Sequence, residues 1–175
     1  MTTIRQATHA DAAAIAHIYN EGIADRVATF ETELRSAEQI EAQLAERGDR
    51  YPTIVIERGG QVVAWAAASP YSSRPCYAGV AEFSVYVTRT ARGMGIGRAV
   101  LERLLDECAQ RGFWKLVSRV FPENTASRAL CRSLGFREVG VYQRHARLDG
   151  AWRDCVIVEK LLGEARPKDG DVPGP

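Results

Sequence analysis

The sequence predicts an α/β fold with a mixed, mostly antiparallel sheet of about seven strands flanked by about four helices. Strand-like segments rich in β-branched residues alternate along the chain with segments of helical periodicity. The two-residue turns Gly59-Gly60 and Asp149-Gly150 predict hairpins, which a purely parallel sheet lacks. Neither an internal repeat nor a linker divides the 175 residues, so the length predicts one domain.

The predicted helices begin at a capping residue and continue with apolar side chains three or four positions apart. The first predicted helix follows Thr8 and has an acid at Asp11, and the second extends from the Ser36–Gln39 capping box to about Gly48. The third covers 98–112, and the fourth extends from Asn124 to about Gly135. Residues 22–35 show no sustained period and predict a loop.

The predicted strands are short apolar or β-branched runs bounded by turn residues. They cover 3–7, 53–58, 61–69, 80–87, 114–120 and the two flanks of Asp149-Gly150. Residues 69–79 contain Ser, Pro and Gly and predict a loop. After Gly163 the chain is mostly Pro, Gly, Asp and Lys, so we expect a domain over 1–163 and a disordered tail over 164–175.

Charge and cysteine content exclude several classes of function. The 23 Lys and Arg residues nearly balance the 22 Asp and Glu residues, so we expect no nucleic-acid partner and no membrane partner. The opening residues, MTTIRQATHADA, are too polar for a signal peptide, and we expect a cytoplasmic protein. Four cysteines without a C-x-x-C pair and three histidines predict reduced thiols and no metal site.

The segment from Arg92 to Gly97, RGMGIG, lies between a predicted strand and a predicted helix. Glycine lets a ligand approach the main chain closely, and the amides that precede a helix point toward the positive end of its dipole. These properties predict an anion site suited to phosphates. The Walker pattern is absent, and the spacing G-x-G-x-G differs from the dinucleotide fingerprint. A glycine-rich turn needed only for packing is the simpler alternative.

The segment matches R/Q-x-x-G-x-G, the pyrophosphate loop of the GNAT superfamily of N-acetyltransferases. VAEFSVYVTRTARGMGIGRAVLERLL resembles the strand-loop-helix core of that superfamily, and FPENTASRALCRSLGFREVG resembles its next unit. The resemblance extends over about residues 4–162. IYNEGI, ATFET, AEFSVYV and DGAWRDC are similar to the branch of phosphinothricin and arsinothricin N-acetyltransferases, near the methionine sulfoximine and sulfone acetyltransferases.

The resemblance implies acetyl-CoA as cosubstrate, bound mainly by main-chain groups. It implies that the pantetheine arm lies along a strand and that the amide of Val85 polarises the thioester carbonyl. The residues implied for the cofactor are Val85, Tyr86, Val87, Arg92, Gly93, Met94, Gly95, Ile96, Gly97, Arg98, Asn124 and Ser133. An asparagine at 124 is also a good helix cap, which is compatible with a ligand contact.

Glu82 is the candidate general base, because it stands in an otherwise apolar strand and the resembling branch has a glutamate there. Such an acid can take the proton of an ammonium group. A solvated carboxylate on the polar face of the strand is the alternative. The superfamily often places a tyrosine, as acid for the leaving thiolate, where this chain has Cys131. A small buried cysteine without a catalytic role is the simpler interpretation.

The resemblance implies a small amine acceptor with an amino-acid-like shape and an anionic group. The residues implied for that acceptor are Phe30, Ser73, Arg74, Pro75, Glu82, Phe83 and Ser84, with Tyr71, His145 and Trp152 nearby. A solvated loop arginine is the alternative for Arg74. The resemblance also implies a homodimer. Open functional alternatives are a broader amino-acid acetyltransferase, an enzyme acetylating protein N-termini, and a non-catalytic acyl-CoA sensor.

Overall fold

The computed structural model describes residues 1–167, which form one seven-stranded mixed sheet flanked by four helices. The strands are β1 (Thr2–Gln6), β2 (Thr53–Arg58), β3 (Gln61–Pro70), β4 (Val80–Val87), β5 (Lys115–Val120), β6 (Arg137–Leu148) and β7 (Ala151–Leu161). The helices are α1 (Ala12–Asp25), α2 (Ala37–Arg47), α3 (Ile96–Gln110) and α4 (Thr125–Ser133). The predicted α/β class is confirmed.

The strands follow the order β1-β2-β3-β4-β5-β7-β6. Every neighbouring pair is antiparallel except β4 and β5, which run parallel. That parallel pair is short: within the described residues it joins only Val80–Glu82 to Lys115–Val117. Beyond Glu82 the edge of β4 that faces β5 therefore lacks a strand partner over the rest of its length.

Side chains alternate across β4, so each face of the sheet has its own core. Phe83 and Val85 point toward α3, whose Leu101, Leu104 and Cys108 form part of the larger cluster of buried side chains. On the opposite face α1 packs on β3 and β4, and its buried side chains form a smaller cluster with residues of α2 and the sheet. Both helical layers thus meet at β4.

The predicted caps and turns are confirmed. Ser36 Oγ accepts a hydrogen bond from the Gln39 amide at 3.2 Å, and the Ser36 amide donates to Gln39 Oε1 at 2.9 Å. Asn124 Oδ1 accepts from the amide of Ser127 at 3.1 Å and caps α4. Hairpins turn at 59–60 and 149–150, as predicted.

The loop predicted over 22–35 is wrong at its start, because α1 continues through Asp25. Gly22 explains the extension: a Cβ at this position would lie 2.6 Å from the ring of Tyr86, so only glycine lets the helix approach β4 this closely. Ile23 is buried in the same turn. The helix ends at Arg26, which takes the left-handed conformation with φ 58°.

Residues 163–165 form a single 3-10 turn after β7. Most of the predicted tail, residues 168–175, lies outside the described residues. Over residues 1–167 no helix has both the length and the apolar character needed to cross a bilayer.

Candidate active site

The junction between β4 and α3 presents bare main-chain amides. Gly93 and Gly95 have φ of +76° and +77°, in the left-handed region that favours glycine. Gly95 is the N-cap of α3, and no side chain caps the helix. The amides of the first helical turn have no intrahelical acceptors and stay available to a ligand. The junction therefore has the free donors and the positive helix-dipole end that favour an anion.

A cleft of about 490 Å³ opens at this junction, between the C-terminal end of α1 and the exposed side of α4. We call it the cofactor cleft. Of the twelve residues predicted for the cofactor, those that line the cleft are Val85, Tyr86, Val87, Arg92, Gly93, Gly95, Gly97, Arg98, Asn124 and Ser133. The side chains of the other two point elsewhere: Met94 is exposed to solvent, and Ile96 is buried in the core.

Arg92 is held in place by α1. Its Nη1 donates to Asp25 Oδ2 at 2.8 Å, and its Nε donates to the carbonyl of Val87 at 3.1 Å. Arg89 donates to the other oxygen of Asp25 at 2.7 Å. Burial raises the pKa of Asp25, but the hydrogen bonds from both arginines outweigh it, so that pKa lies below its ordinary value. Asp25 thus fixes a guanidinium group at the mouth of the cleft.

The unpaired edge of β4 directs peptide groups into the site. Ser118 Oγ donates to the carbonyl of Phe83 at 3.0 Å, and Arg92 reaches the carbonyl of Val87 on the same edge. Because alternate residues of a strand face the same edge, the peptide groups of Val85 face this gap as well. A ligand that extends along the edge can therefore pair with β4 as an added strand does.

The side chain of Tyr86 packs away from this edge. Its ring stacks on Trp65 with centroids 4.9 Å apart and contacts the ring of Tyr19 edge-on at 5.0 Å. Burial raises the pKa of the Tyr86 hydroxyl. The residue thus contributes a packed wall to the site rather than an ionisable group.

Helix α4 is tied closely to the start of α3. Arg98 Nη1 donates to the carbonyl of Ser133 at 2.8 Å and to its Oγ at 3.0 Å. A Cβ at Gly97 would lie 3.4 Å from Leu130 and 3.5 Å from Val87, which is ordinary van der Waals contact. The start of α3 therefore packs directly against both α4 and β4.

A second cavity, of about 340 Å³, continues from the cofactor cleft toward β5. We call it the inner cavity. It shares Ala28, Val85, Tyr86, Asn124 and Ser127 with the cofactor cleft. The predicted acceptor residues Phe30, Glu82, Phe83 and Ser84 all line it. The ring of Phe30 contacts that of Phe121 edge-on at 4.8 Å and closes one wall.

A third cavity, of about 400 Å³, lies on the other side of Glu82 and extends over the face of β5, β6 and β7. We call it the outer cavity. Tyr71 and Tyr77 line it and contact each other edge-on at 5.5 Å. His145 also lines it, with its ring 4.9 Å from that of Tyr142.

Glu82 lies at the boundary of these two cavities and contributes to both linings. Its Oε1 accepts a hydrogen bond from Nη2 of Arg119. The carboxylate is 31% exposed, so it is accessible to a small molecule while one of its oxygens is held. The arrangement suits a general base whose orientation is fixed by a neighbouring cation.

The structure places four predicted acceptor-site residues away from both cavities. Ser73, Arg74 and Pro75 are exposed on the loop between β3 and β4, with the Arg74 guanidinium 5.8 Å from the ring of Tyr77. Trp152 is half exposed, with Arg147 stacked over its ring at 4.3 Å.

Arg119, Ser127 and Asp25 are among the residues that line the site but were not predicted from the sequence as part of it. Arg119 borders both the inner and the outer cavity, and Ser127 borders the inner cavity and the cofactor cleft. Asp25 lines the cofactor cleft and binds Arg92. In the predicted strand 114–120, alternation places Arg119 on one face with Lys115 and Val117, so the sequence marks that face as the charged one. The other two carry no such signal, because their position depends on how α1 and α4 pack.

Cys131 lines the inner cavity and is only 3% exposed. Burial raises the pKa of its thiol to about 11, so the group is protonated at neutral pH. All four cysteines are free, as predicted; Cys108, Cys131 and Cys155 are buried, and Cys76 is exposed.

Comparison with protein families gives one match that covers most of the chain. The profile described as "Acetyltransferase (GNAT) family" matches residues 15–136. The chain belongs to the acetyltransferase (GNAT) family. The match includes β4, the glycine junction, α3 and α4, which build the cofactor cleft. Membership in this family makes the protein an N-acetyltransferase, as the resemblance implied.

Known members of the family share the fold over nearly the full chain. The L-methionine sulfoximine/L-methionine sulfone acetyltransferase of Salmonella typhimurium is 33% identical, over 95% of this chain and 98% of the relative. The crystal structure of a phosphinothricin acetyltransferase from Sinorhizobium meliloti with acetyl-CoA has a TM-score of 0.88 and 32% identity, covering 98% of this chain and 96% of that one. A Brucella melitensis structure titled ribosomal-protein-alanine N-acetyltransferase has a TM-score of 0.88 and 37% identity, covering 91% and 99%.

Proposed function

We propose that this enzyme transfers the acetyl group of acetyl-CoA to the amino group of a small amino-acid-like antimetabolite. Phosphinothricin, arsinothricin and methionine sulfoximine are the proposed acceptors, and their acetylation confers resistance by detoxification. The observation that carries the proposal is the continuity of the site. The cofactor cleft opens into the inner cavity at Val85 and Asn124, and Glu82 stands in that cavity.

Main-chain groups hold the cosubstrate in this proposal. The amides of Gly93 to Arg98 bind its diphosphate at the start of α3, where the dipole favours negative charge. The pantetheine arm extends along the unpaired edge of β4. The amide of Val85 then donates a hydrogen bond to the thioester oxygen, which gains negative charge in the transition state.

Glu82 prepares the acceptor. The acceptor enters as an ammonium ion and becomes a nucleophile only after losing a proton, which the Glu82 carboxylate takes directly or through one water molecule. The neutral nitrogen attacks the thioester carbon and a C–N bond forms. The C–S bond then breaks, and the nitrogen, which carries a positive charge after the attack, releases its second proton to solvent as the neutral amide forms. In this proposal solvent donates the proton that the coenzyme A thiolate takes up.

Two features support a small acceptor. The inner and outer cavities, of about 340 and 400 Å³, are at the small end of the range for ligand sites. Relatives similar over nearly the whole chain are named for phosphinothricin or methionine sulfoximine. Acetylation of a protein N-terminus is a second candidate function, because the similar Brucella structure is named as a ribosomal-protein-alanine N-acetyltransferase.

A panel of acceptors tests the proposal by detection of the free thiol released from acetyl-CoA. The panel contains L-phosphinothricin, arsinothricin, L-methionine sulfoximine, L-methionine sulfone, the common amino acids and a peptide with an N-terminal alanine. We expect turnover with at least one of the first four and little with the peptide. A preference for the peptide supports the second candidate, and coenzyme A binding without any thiol release supports an acyl-CoA sensor.

We also propose that the enzyme is a cytoplasmic homodimer whose catalytic domain spans residues 1–163. Exposed apolar side chains on β6 and β7, among them Val139, Val141 and Tyr142, support a second copy as the partner of this face. Four free cysteines agree with a reducing compartment. Light scattering after gel filtration measures the mass; a monomer at micromolar concentration contradicts the dimer.

A further inference from the structure

The bond between Glu82 and Arg119 crosses the point where the two central strands separate. Glu82 is the last residue of β4 that pairs with β5, and its register partner is Val117. Arg119 lies two residues beyond that partner and therefore on the same face of the sheet. Its guanidinium turns back toward β4 and contacts the Glu82 carboxylate. A carboxylate and a guanidinium thus stand side by side in the gap.

Both members of the pair line the inner cavity and the outer cavity. An acceptor whose amino group lies near Glu82 in the inner cavity and whose side chain occupies the outer cavity must pass directly over this pair. Arg119 is 47% exposed and Glu82 31%, so both groups are accessible to such a molecule.

The other ions that border these cavities have partners elsewhere. Lys115 Nζ lies 2.9 Å from Glu159, which also binds Arg137 at 2.6 Å. Glu31 is held by Arg35 at 2.6 Å. Within residues 1–167 the single ion pair of Arg119 is the one with Glu82. A guanidinium carries five donors, and the contact with Glu82 uses Nη2, so others remain free to bind a second anion.

We propose that Arg119 binds the α-carboxylate of the acceptor and thereby selects free α-amino acids over other amines. The proposal rests on the proposed function and adds the residue that recognises the acceptor. An α-amino acid carries its ammonium and its carboxylate on one carbon atom. The pair presents the complementary charges side by side, with Glu82 facing the ammonium and Arg119 facing the carboxylate.

The geometry also explains why free amino acids fit better than protein N-termini. An N-terminal residue carries a neutral amide in place of the α-carboxylate, so Arg119 finds no anion in that complex. Binding such an acceptor covers a charged donor without giving it a new partner, which is unfavourable. The same argument applies to any amino acid whose carboxylate is converted to a carboxamide.

The test compares each acid with its own carboxamide, in wild-type enzyme and in Arg119→Gln. The probes are L-phosphinothricin and L-methionine sulfone, each paired with its α-carboxamide. In the wild type we expect kcat/KM to fall by about 30-fold or more from acid to amide, the loss typical of removing one partner of a charged hydrogen bond. In Arg119→Gln the acid falls by a similar factor, and acid and amide then differ by about threefold or less.

Two further variants separate recognition from folding. Arg119→Lys keeps the charge and is expected to recover at least about a tenth of wild-type kcat/KM for the acids. Arg103→Gln is the matched control, because Arg103 is 48% exposed, pairs with Glu107 and borders none of the three cavities. We expect this control to keep the acid preference. Circular dichroism confirms that each variant is folded.

An equal loss for acid and amide in Arg119→Gln overturns the proposal, because it means that Arg119 only orients Glu82. An unchanged KM for the acids also overturns it. Calorimetric titration of each acid into the enzyme saturated with coenzyme A gives an answer that does not depend on turnover. Acid binding that Arg119→Gln weakens supports the proposal even if no acetylation occurs, whereas absence of thiol release with every amine refutes only the proposed function.

Discussion

The cofactor cleft and the acceptor cavities use the same strand, β4, in different ways. On the cofactor side most lining residues come from the short stretch 85–98 and from α4, with the end of α1 completing the wall. On the acceptor side the lining comes from α1 and the loop after it, the loop between β3 and β4, α4 and four strands. The cofactor side can therefore be built from residues that are close together in the sequence, whereas the acceptor side needs side chains from segments that are far apart in the sequence.

The two regions also differ in their charged side chains. At the cofactor cleft, Asp25 is shared by two arginines, Arg92 in the lining and Arg89 beside it, and Arg98 is a further cation of the lining. In the acceptor cavities the pair of Glu82 and Arg119 is balanced and suits a zwitterion. Each of the following predictions alters one region and measures whether the other responds.

The largest expected effect is on the acceptor side. Glu82→Gln removes the proposed general base and is expected to lower kcat at neutral pH by about 100-fold to 10,000-fold. Coenzyme A affinity should stay within about twofold of wild type, because the amides that bind the diphosphate are unchanged. Thiol-release kinetics and calorimetry measure the two quantities.

Glu138→Gln is the matched control for this variant. Glu138 is 29% exposed and pairs with Arg128, much as Glu82 is 31% exposed and pairs with Arg119, but it borders none of the three cavities. We expect near-normal turnover. If Glu82→Gln kept the wild-type kcat, Glu82 would not be the general base.

The next effect is on the cofactor side. Gly95→Val places a β-branched residue at φ +77°, which costs about 1–3 kcal/mol and displaces the amides at the start of α3. Coenzyme A affinity should fall by about 10-fold to 100-fold. Gly60→Val is the control, since Gly60 has φ +81° in the hairpin turn and open space around it. It should lose stability but keep its affinity; a similar loss of affinity in both variants contradicts a local role for the junction.

A smaller effect is expected when the anchor of Arg92 is removed. Asp25→Asn breaks two ion pairs and should reduce the free energy of unfolding at pH 7 by about 1 kcal/mol and coenzyme A affinity by about fivefold. The pKa of Asp25 is lowered in the folded state from its ordinary 3.8, so the stabilisation is present above that value and disappears as pH falls through the folded pKa. Urea unfolding of both proteins from pH 7 to acid measures the gap, and a gap that is constant with pH contradicts the role of the carboxylate.

The smallest effect is expected at the cysteine that borders the inner cavity. Cys131→Ala removes a thiol whose pKa is raised to about 11, and if solvent supplies the proton to the leaving thiolate, kcat should change by about threefold or less. A general acid contributes about 100-fold or more. A loss of that size, measured in single turnovers, would assign the acid to Cys131.

The sequence predicted the elements well because they depend on neighbouring residues. Ser36 and Gln39 satisfy each other's backbone amides within one turn, and Gly59-Gly60 sets a hairpin by itself. Ten of the twelve predicted cofactor residues line the cofactor cleft. The end of α1 was predicted wrongly, since the fit of Gly22 against Tyr86 joins residues far apart in sequence.

What the sequence determined by itself is the order of elements, the glycine junction that exposes amides at the start of α3, and the position of a lone acid at Glu82. These are local properties, set by backbone conformation and by the period of side chains along one strand. The tertiary structure alone decided that β4 and β5 part after three paired residues and that Arg119 meets Glu82 across the gap. It also decided that Arg74 stays exposed on its loop. Those outcomes depend on how distant segments pack, and no short stretch of sequence encodes that.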